Sequence, residues 1–190
     1  MCWVALDRLI RLAQQIGLEI DVMALQAQAR AIRADIEARG FSGAVGSFVA
    51  HYDGVDADAA LLAISRHGFL SPNDPRMLGT WRYLEQQLRV DRFMRRYRCG
   101  GSGESAPDGL FAACSFWRAD YLARSGSVDE AERLFETLLR AATPLGLYAE
   151  EFEPRTKAPM GNFPQAFTHL ELVATALTLE RARREREKAE

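Results

Sequence analysis

The sequence predicts an all-α protein built from consecutive helix hairpins, an α/α-hairpin array. Two observations carry that prediction. Apolar residues recur at helical spacing in about seven stretches, most of them opened by a capping signal or closed by a glycine. Strand signals are weak, and the connections between the stretches alternate short and long.

The pattern is helical from the first residues. Trp3, Leu6, Ile10 and Ala13 share one face, and Leu9, Leu12 and Ile16 add a second apolar flank, which predicts packing on two sides. No capping residue precedes this helix, as expected of a chain cut from something longer, and Gly17 ends it. A second helix spans 22–39, with Leu25, Ala29, Ile32 and Ile36 on one face and Gly40 as its stop. Residues 41–55 carry Gly43, Gly46 and Gly54 around Phe48, Val49 and Tyr52, a loop with some extended character. Asp56 is the expected cap of a short helix running to His67 and closed by Gly68. Asp74-Pro75 then opens a helix that carries Met77, Trp81, Leu84 and Leu88.

Residues 98–109 are too rich in glycine and serine for a helix or strand interior. A helix over 110–124 follows, stopped by Gly126. Ser127 and Glu130 form a capping box for the next one, whose buried stripe is Ala131, Leu134, Phe135 and Leu138. Residues 143–163 lack periodicity. The last helix starts near Pro164 and carries Phe167, Leu170, Val173, Ala174 and Leu177 as its apolar positions. Its end, 180–190, is almost wholly charged and is expected to fray into solvent.

Composition excludes several classes. A length of 190 residues suits one domain with a real core. A net charge of -2, with basic residues clustered only around Arg89 to Arg98, offers no general attraction to nucleic acid. No apolar run approaches the roughly 20 residues of a membrane-spanning helix. Cys2, Cys99 and Cys114 fit neither a disulfide framework nor a zinc pattern, and reduced thiols point to a cytoplasmic setting. No signal-peptide pattern opens the chain.

Long irregular connections inside a compact domain are often functional. The stretch from Gly146 to Pro154 holds Glu150, Glu151 and Glu153, any of which could serve as a general base or simply be a solvated surface group. From Gly146 through His169 the chain reads GLYAEEFEPRTKAPMGNFPQAFTH. This segment resembles the C-terminal signature of bacterial glycoside hydrolases of family 15, in which a GLLSEE-type motif precedes LGNFPQAFSH. Two further stretches agree in order. The opening MCWVALDR resembles the helix after that family's first catalytic loop, and DGLFAACSFW at 108–117 resembles its EGAFLACSFW block.

The resemblance covers nearly the whole chain and implies a fold and a chemistry. The fold would be an incomplete portion of an (α/α)6 barrel, with residues 1–190 as the C-terminal part of the six-hairpin catalytic domain. The substrate would be an α-linked glucose oligosaccharide or trehalose, hydrolysed with inversion by two carboxyl groups and no cofactor. Glu150 would be the general base and Glu151 a neighbour that contacts sugar or orients it. Arg96 resembles an arginine that hydrogen-bonds sugar hydroxyls, although Arg92, Arg95 and Arg98 crowd it.

Trp3, Trp81 and Trp117 could stack on sugar rings, with Trp117 inside the matching block, yet each also lies on an apolar stripe. Gln165 and His169 share a helix face at the end of the signature, where a supporting hydrogen bond suits His169 better than metal ligation. Asp7 and Arg8 could support the pocket or bridge helices.

The departures are Ala149 for Ser, Met160 for Leu, Thr168 for Ser and Asp108 for Glu. The family's general acid lies upstream of the helix that MCWVALDR resembles, so the resemblance implies that this chain supplies the base without the acid and is inactive alone. An open ring would expose apolar flanks, which favours homo-oligomers through that edge. A rival reading, a tetratricopeptide-like interaction module, rests on the stretch from Leu122 to Phe135. It lacks the recurrence at about 34 residues that such repeats require.

Overall fold

The computed structural model describes residues 1–97 and 109–188. Seven α-helices dominate the described residues: α1 Cys2–Ile16, α2 Val22–Arg39, α3 Ala63–Arg66, α4 Pro75–Leu88, α5 Ala112–Arg124, α6 Val128–Leu139 and α7 Ala166–Glu187. A 3-10 turn, Ala59–Leu62, leads directly into α3. The only strands among these residues are two-residue pieces. β1 Phe41–Ser42 pairs with β2 Ser47–Phe48, and β3 Arg89–Val90 pairs with β4 Phe93–Met94. β5 Leu110–Phe111, β6 Glu151–Phe152 and β7 Pro159–Met160 form an antiparallel sheet in the order β5-β6-β7.

Local chemistry sets most helix boundaries. Gly17 caps α1 in the left-handed conformation, where a side chain would be strained. Asp21 caps α2 by accepting from Ala24 N–H at 2.9 Å. Asp74 accepts from Arg76 N–H at 2.9 Å, with Pro75 preset for the first helical position of α4.

Helix α5 is the axis of the molecule, buried along almost its whole length and flanked by α6 and α7. One apolar core fills the space between α5, α6 and the β5-β6 strands, with Phe116, Ala119, Leu134, Leu138 and Tyr148 at its centre. A second lies between α4, α5 and the 3-10 turn, with Met77, Leu84, Leu88, Leu62 and Cys114. Trp81 touches both cores and stacks on Tyr121 at 4.7 Å between ring centroids.

Helices α5 and α7 run parallel. The Thr175 hydroxyl donates to Phe116 C=O at 3.2 Å, and the Thr178 hydroxyl, one turn later, donates to Asp120 at 2.7 Å. Their N-termini therefore lie at one end of the molecule. The end of the 3-10 turn and the start of α3 join them there, because Leu62 and Ala63 line a cleft with Trp117 and Phe167. Loops that precede these helices converge on the same end.

The structure corrects several expectations. The turn before α3 is capped by Asp58, which accepts from Ala60 N–H at 2.8 Å, and not by Asp56. The reason is position, since Asp58 directly precedes the first helical residue. Leu110 and Phe111 are not helical; they pair with Phe152 and Glu151, so α5 starts at Ala112. Ser127 makes no capping-box bond through its hydroxyl. Its backbone N–H instead bonds Leu122 C=O at 2.9 Å and closes the corner between α5 and α6. The irregular 143–163 stretch contains β6 and β7.

The largest correction concerns α7. Its buried face is Thr168, Glu171, Thr175, Thr178 and Leu179, whereas Leu170, Val173 and Leu177 are more than half exposed. Small hydroxyl side chains that bond carbonyls let α7 lie close against α5, and Leu or Val there would force the helices apart. The charged end of α7 stays helical through Glu187, tied by Arg183 to Glu132 and by Arg186 to Asp129 at 2.6 Å. Leu9, Leu12 and Ile16 of α1 are likewise exposed, so the two-sided packing expected of that helix is met on one side only.

Candidate active site

The acidic segment enters the site through its backbone. Glu150 C=O accepts from Ala112 N–H at 3.0 Å, supplying a partner for one of the otherwise unbonded N–H groups at the start of α5. Glu150 N–H donates to Asn162 C=O at 2.9 Å, which closes the loop around β7 onto itself. Glu151 then sits in β6, opposite Phe111 on one side and Met160 on the other. Ala149 before it is buried.

The Glu150 side chain is partly buried and oriented from one side. Its Oε2 accepts from both Asn162 N–H, at 3.1 Å, and Asn162 Nδ2, at 2.8 Å. Among the described residues its other oxygen accepts no hydrogen bond. Gly161 completes the cradle. It has φ +71, and a Cβ there would stand 2.9 Å from Glu150 Oε2. Gly109 does the same for Glu151, whose Oε2 would lie 2.0 Å from an added Cβ.

Arg96 follows β4 and is bound through both backbone and side chain. Its C=O accepts from Ala59 N–H at 2.8 Å. Its Nε and Nη2 donate to Asp58 at 2.6 and 3.3 Å, a bond that holds the guanidinium still more firmly charged. The guanidinium carbon lies 5.7 Å from the Trp117 ring centroid, and Trp117 meets Phe167 edge-on at 6.0 Å. The Trp117 N–H is buried and has no acceptor among the described residues. Cys114 is buried beneath this group, and burial pushes its thiol well above the ordinary range, so it remains a protonated, unreactive group.

Gln165 and His169 support the acidic loop from α7. Gln165 N–H donates to Tyr148 C=O at 2.9 Å, and the Gln165 side chain caps the helix by accepting from Phe167 N–H at 3.3 Å. His169 Nε2 accepts from Tyr148 N–H at 3.3 Å, which leaves Nδ1 to carry the proton toward Gln165 C=O at 2.7 Å. The imidazole thus clamps the residues just before Glu150. No group of His, Cys, Asp or Glu among the described residues could hold a metal ion. No helix among them is long and apolar enough to cross a membrane.

Asp7 and Arg8 pair with each other, and Arg8 reaches His67 C=O at 2.9 Å, a bridge from α1 to the end of α3. The glycine-rich 98–108 segment, with Cys99 and Asp108, lies outside the described residues. Two site residues escaped sequence reading. Asp58 was legible as a cap directly before an apolar run, and Asn162 stood inside the matching signature without an assigned role.

The pattern described as Glycosyl hydrolases family 15 matches residues 1–177. The chain belongs to this family. Among the relatives of this family 15 chain, the trehalase of Mycobacterium tuberculosis is 42% identical over 97% of the chain, which covers 27% of that protein. The trehalase of Thermoplasma acidophilum is 34% identical over 96% of the chain and 31% of its own length. The family 15 chain thus spans less than a third of the length of these relatives. Among solved structures, a bacterial glucoamylase complexed with acarbose superposes with a TM-score of 0.80 over 94% of the chain and 32% of that structure, at 19% identity. A wild-type glycosidase superposes with a TM-score of 0.71 over 84% of the chain and 45% of its own, at 21% identity. At these identities the likeness establishes the fold, a portion of the family's helical toroid.

Proposed function

We propose that residues 1–190 form the C-terminal part of the catalytic ring of an inverting α-glucoside hydrolase, acting on a terminal α-glucosidic bond in an oligosaccharide or in trehalose. The observation that carries this reading is the Glu150 carboxylate, held on one oxygen by Asn162 while the other accepts no hydrogen bond among the described residues. A general base needs that arrangement: a fixed carboxylate with a free lone pair aimed at water.

In the proposed reaction, Glu150 accepts a proton as water attacks the anomeric carbon. A second carboxyl group, supplied from outside residues 1–190, protonates the departing glycosidic oxygen. Attack from the face opposite the leaving group inverts the anomeric configuration. Arg96 donates to hydroxyls of the same sugar, Trp117 supports the guanidinium, and Glu151 contacts sugar or orients the base. Gln165 and His169 hold the loop that carries Glu150.

Glucose release from trehalose, maltooligosaccharides and dextran tests the reading. It would be measured for the chain as it stands and for the chain joined to the upstream part of a family relative. Activity of the joined protein is expected, with a loss of about 100-fold or more on Glu150→Gln. Unchanged turnover in that variant, or no hydrolysis of any of the three sugars by the joined protein, would overturn it.

A further inference from the structure

An arginine that recognises sugar hydroxyls has to be held still beforehand. Its long side chain otherwise loses its freedom on binding, and that loss subtracts from affinity. Arg96 is held on two sides. Asp58 grips the Nε edge of its guanidinium with both carboxylate oxygens, at 2.6 and 3.3 Å. Trp117 covers one face at 5.7 Å. The remaining edge, around Nη1, has no acceptor among the described residues.

Asp58 is itself fixed before it reaches Arg96. Its Oδ1 also accepts from Ala60 N–H at 2.8 Å, so the carboxylate is oriented by the turn it caps. The backbones of the two segments are joined as well. Ala59 N–H donates to Arg96 C=O at 2.8 Å, and Asp58 forms an antiparallel bridge with Tyr97. A partly exposed ion pair stabilises a fold only weakly. Anchoring of this kind across 38 residues of sequence therefore does more for the orientation of Arg96 than for stability.

We propose that Asp58 is a positioning residue, which pre-orients the Arg96 guanidinium so that its Nη1 edge meets sugar hydroxyls without first losing side-chain motion. This rests on the reading of Arg96 as a sugar ligand. Asp58 does not touch the sugar; it acts through Arg96.

The test uses the full chain and two readouts. Trehalose and glucose affinities are measured by calorimetric titration for the unaltered chain, Asp58→Asn, Arg96→Ala and the double variant. The Arg96 Nε–H resonance is followed by NMR in parallel. Asn keeps the capping oxygen but removes the charge that grips Arg96. Asp58→Asn is expected to weaken sugar binding about tenfold when Arg96 is present, and to leave it unchanged when Arg96 is already Ala. The same substitution should broaden or shift the Nε–H signal, and Asp58→Glu should restore part of both.

Equal weakening by Asp58→Asn in both backgrounds would mean a merely structural role and overturn the proposal. So would an Arg96→Ala loss of affinity that Asp58→Asn does not share, although Arg96 would then stand as a sugar ligand. If no sugar perturbs the Arg96 signal or binds the unaltered chain, the reading beneath the proposal falls and the proposal falls with it.

Discussion

Asn162 donates twice to one oxygen of Glu150, from its backbone N–H at 3.1 Å and from its side-chain amide at 2.8 Å. The pair is closed by a third bond in the opposite sense, Glu150 N–H to Asn162 C=O at 2.9 Å. The two residues therefore fix each other's backbone, and both donors engage the same carboxylate oxygen, the side-chain amide at the shorter distance.

Removing that amide should loosen the base without unfolding the loop, because the backbone pairing stays. For Asn162→Ala we expect a fall of about tenfold in kcat, from one lost bond to a charged group in a partly exposed site, with KM little changed. Steady-state glucose release by the protein joined to a family relative's upstream part measures it. A change confined to KM would assign Asn162 to sugar binding instead.

Gly161 combines a left-handed backbone with a close approach to Glu150. Gly161→Ala should destabilise the chain by about 1–2 kcal/mol through backbone strain alone. It should also displace the Glu150 carboxylate. Urea denaturation gives the first quantity, and the activity lost beyond the Asn162→Ala effect gives the second.

Phe116 is 1% exposed and meets Phe135 and Tyr148 edge-on at 6.0 and 5.6 Å. Phe116→Ala should cost about 3–5 kcal/mol, since the cavity lies where α5, α6 and the acidic loop meet and cannot close by moving one side chain. The drop in denaturation midpoint measures it. A loss below about 1 kcal/mol would mean that this core relaxes freely.

Acid should weaken the fold in two steps. Burial, helped by neighbouring Arg66, pushes the His67 imidazole below its ordinary range. A group depressed in this way contributes stability above its unfolded value of about 6.5, and that stability is lost as pH falls from there through the lower folded value. The Asp74 carboxyl is also lowered, chiefly by its hydrogen bond with Arg76. Its contribution is complete above about 3.9 and disappears below that, with the α4 cap. Denaturation midpoints should fall from pH 7 to pH 5, and His67→Gln should flatten that segment of the curve while leaving the step below pH 4 in place.

Much of the helical order was written in short stretches of sequence. Gly17 and Gly40 stop α1 and α2, Asp74 with Pro75 starts α4, and Gly126 separates α5 from α6, because each acts on backbone within one turn of itself. The acidic segment was legible too, through its likeness to a family signature. Tertiary structure alone decided which faces are buried and which distant residues meet. Local periodicity placed Leu170, Val173 and Leu177 in the core, yet α5 accepts the Thr168, Thr175 and Thr178 side of α7, since close helix contact favours small side chains that bond carbonyls. The grip of Asp58 on Arg96, the two hydrogen bonds from Asn162 to Glu150, and the pairing of residues 110–111 with 151–152 join segments whose chemistry says nothing of one another until the chain brings them within hydrogen-bond reach.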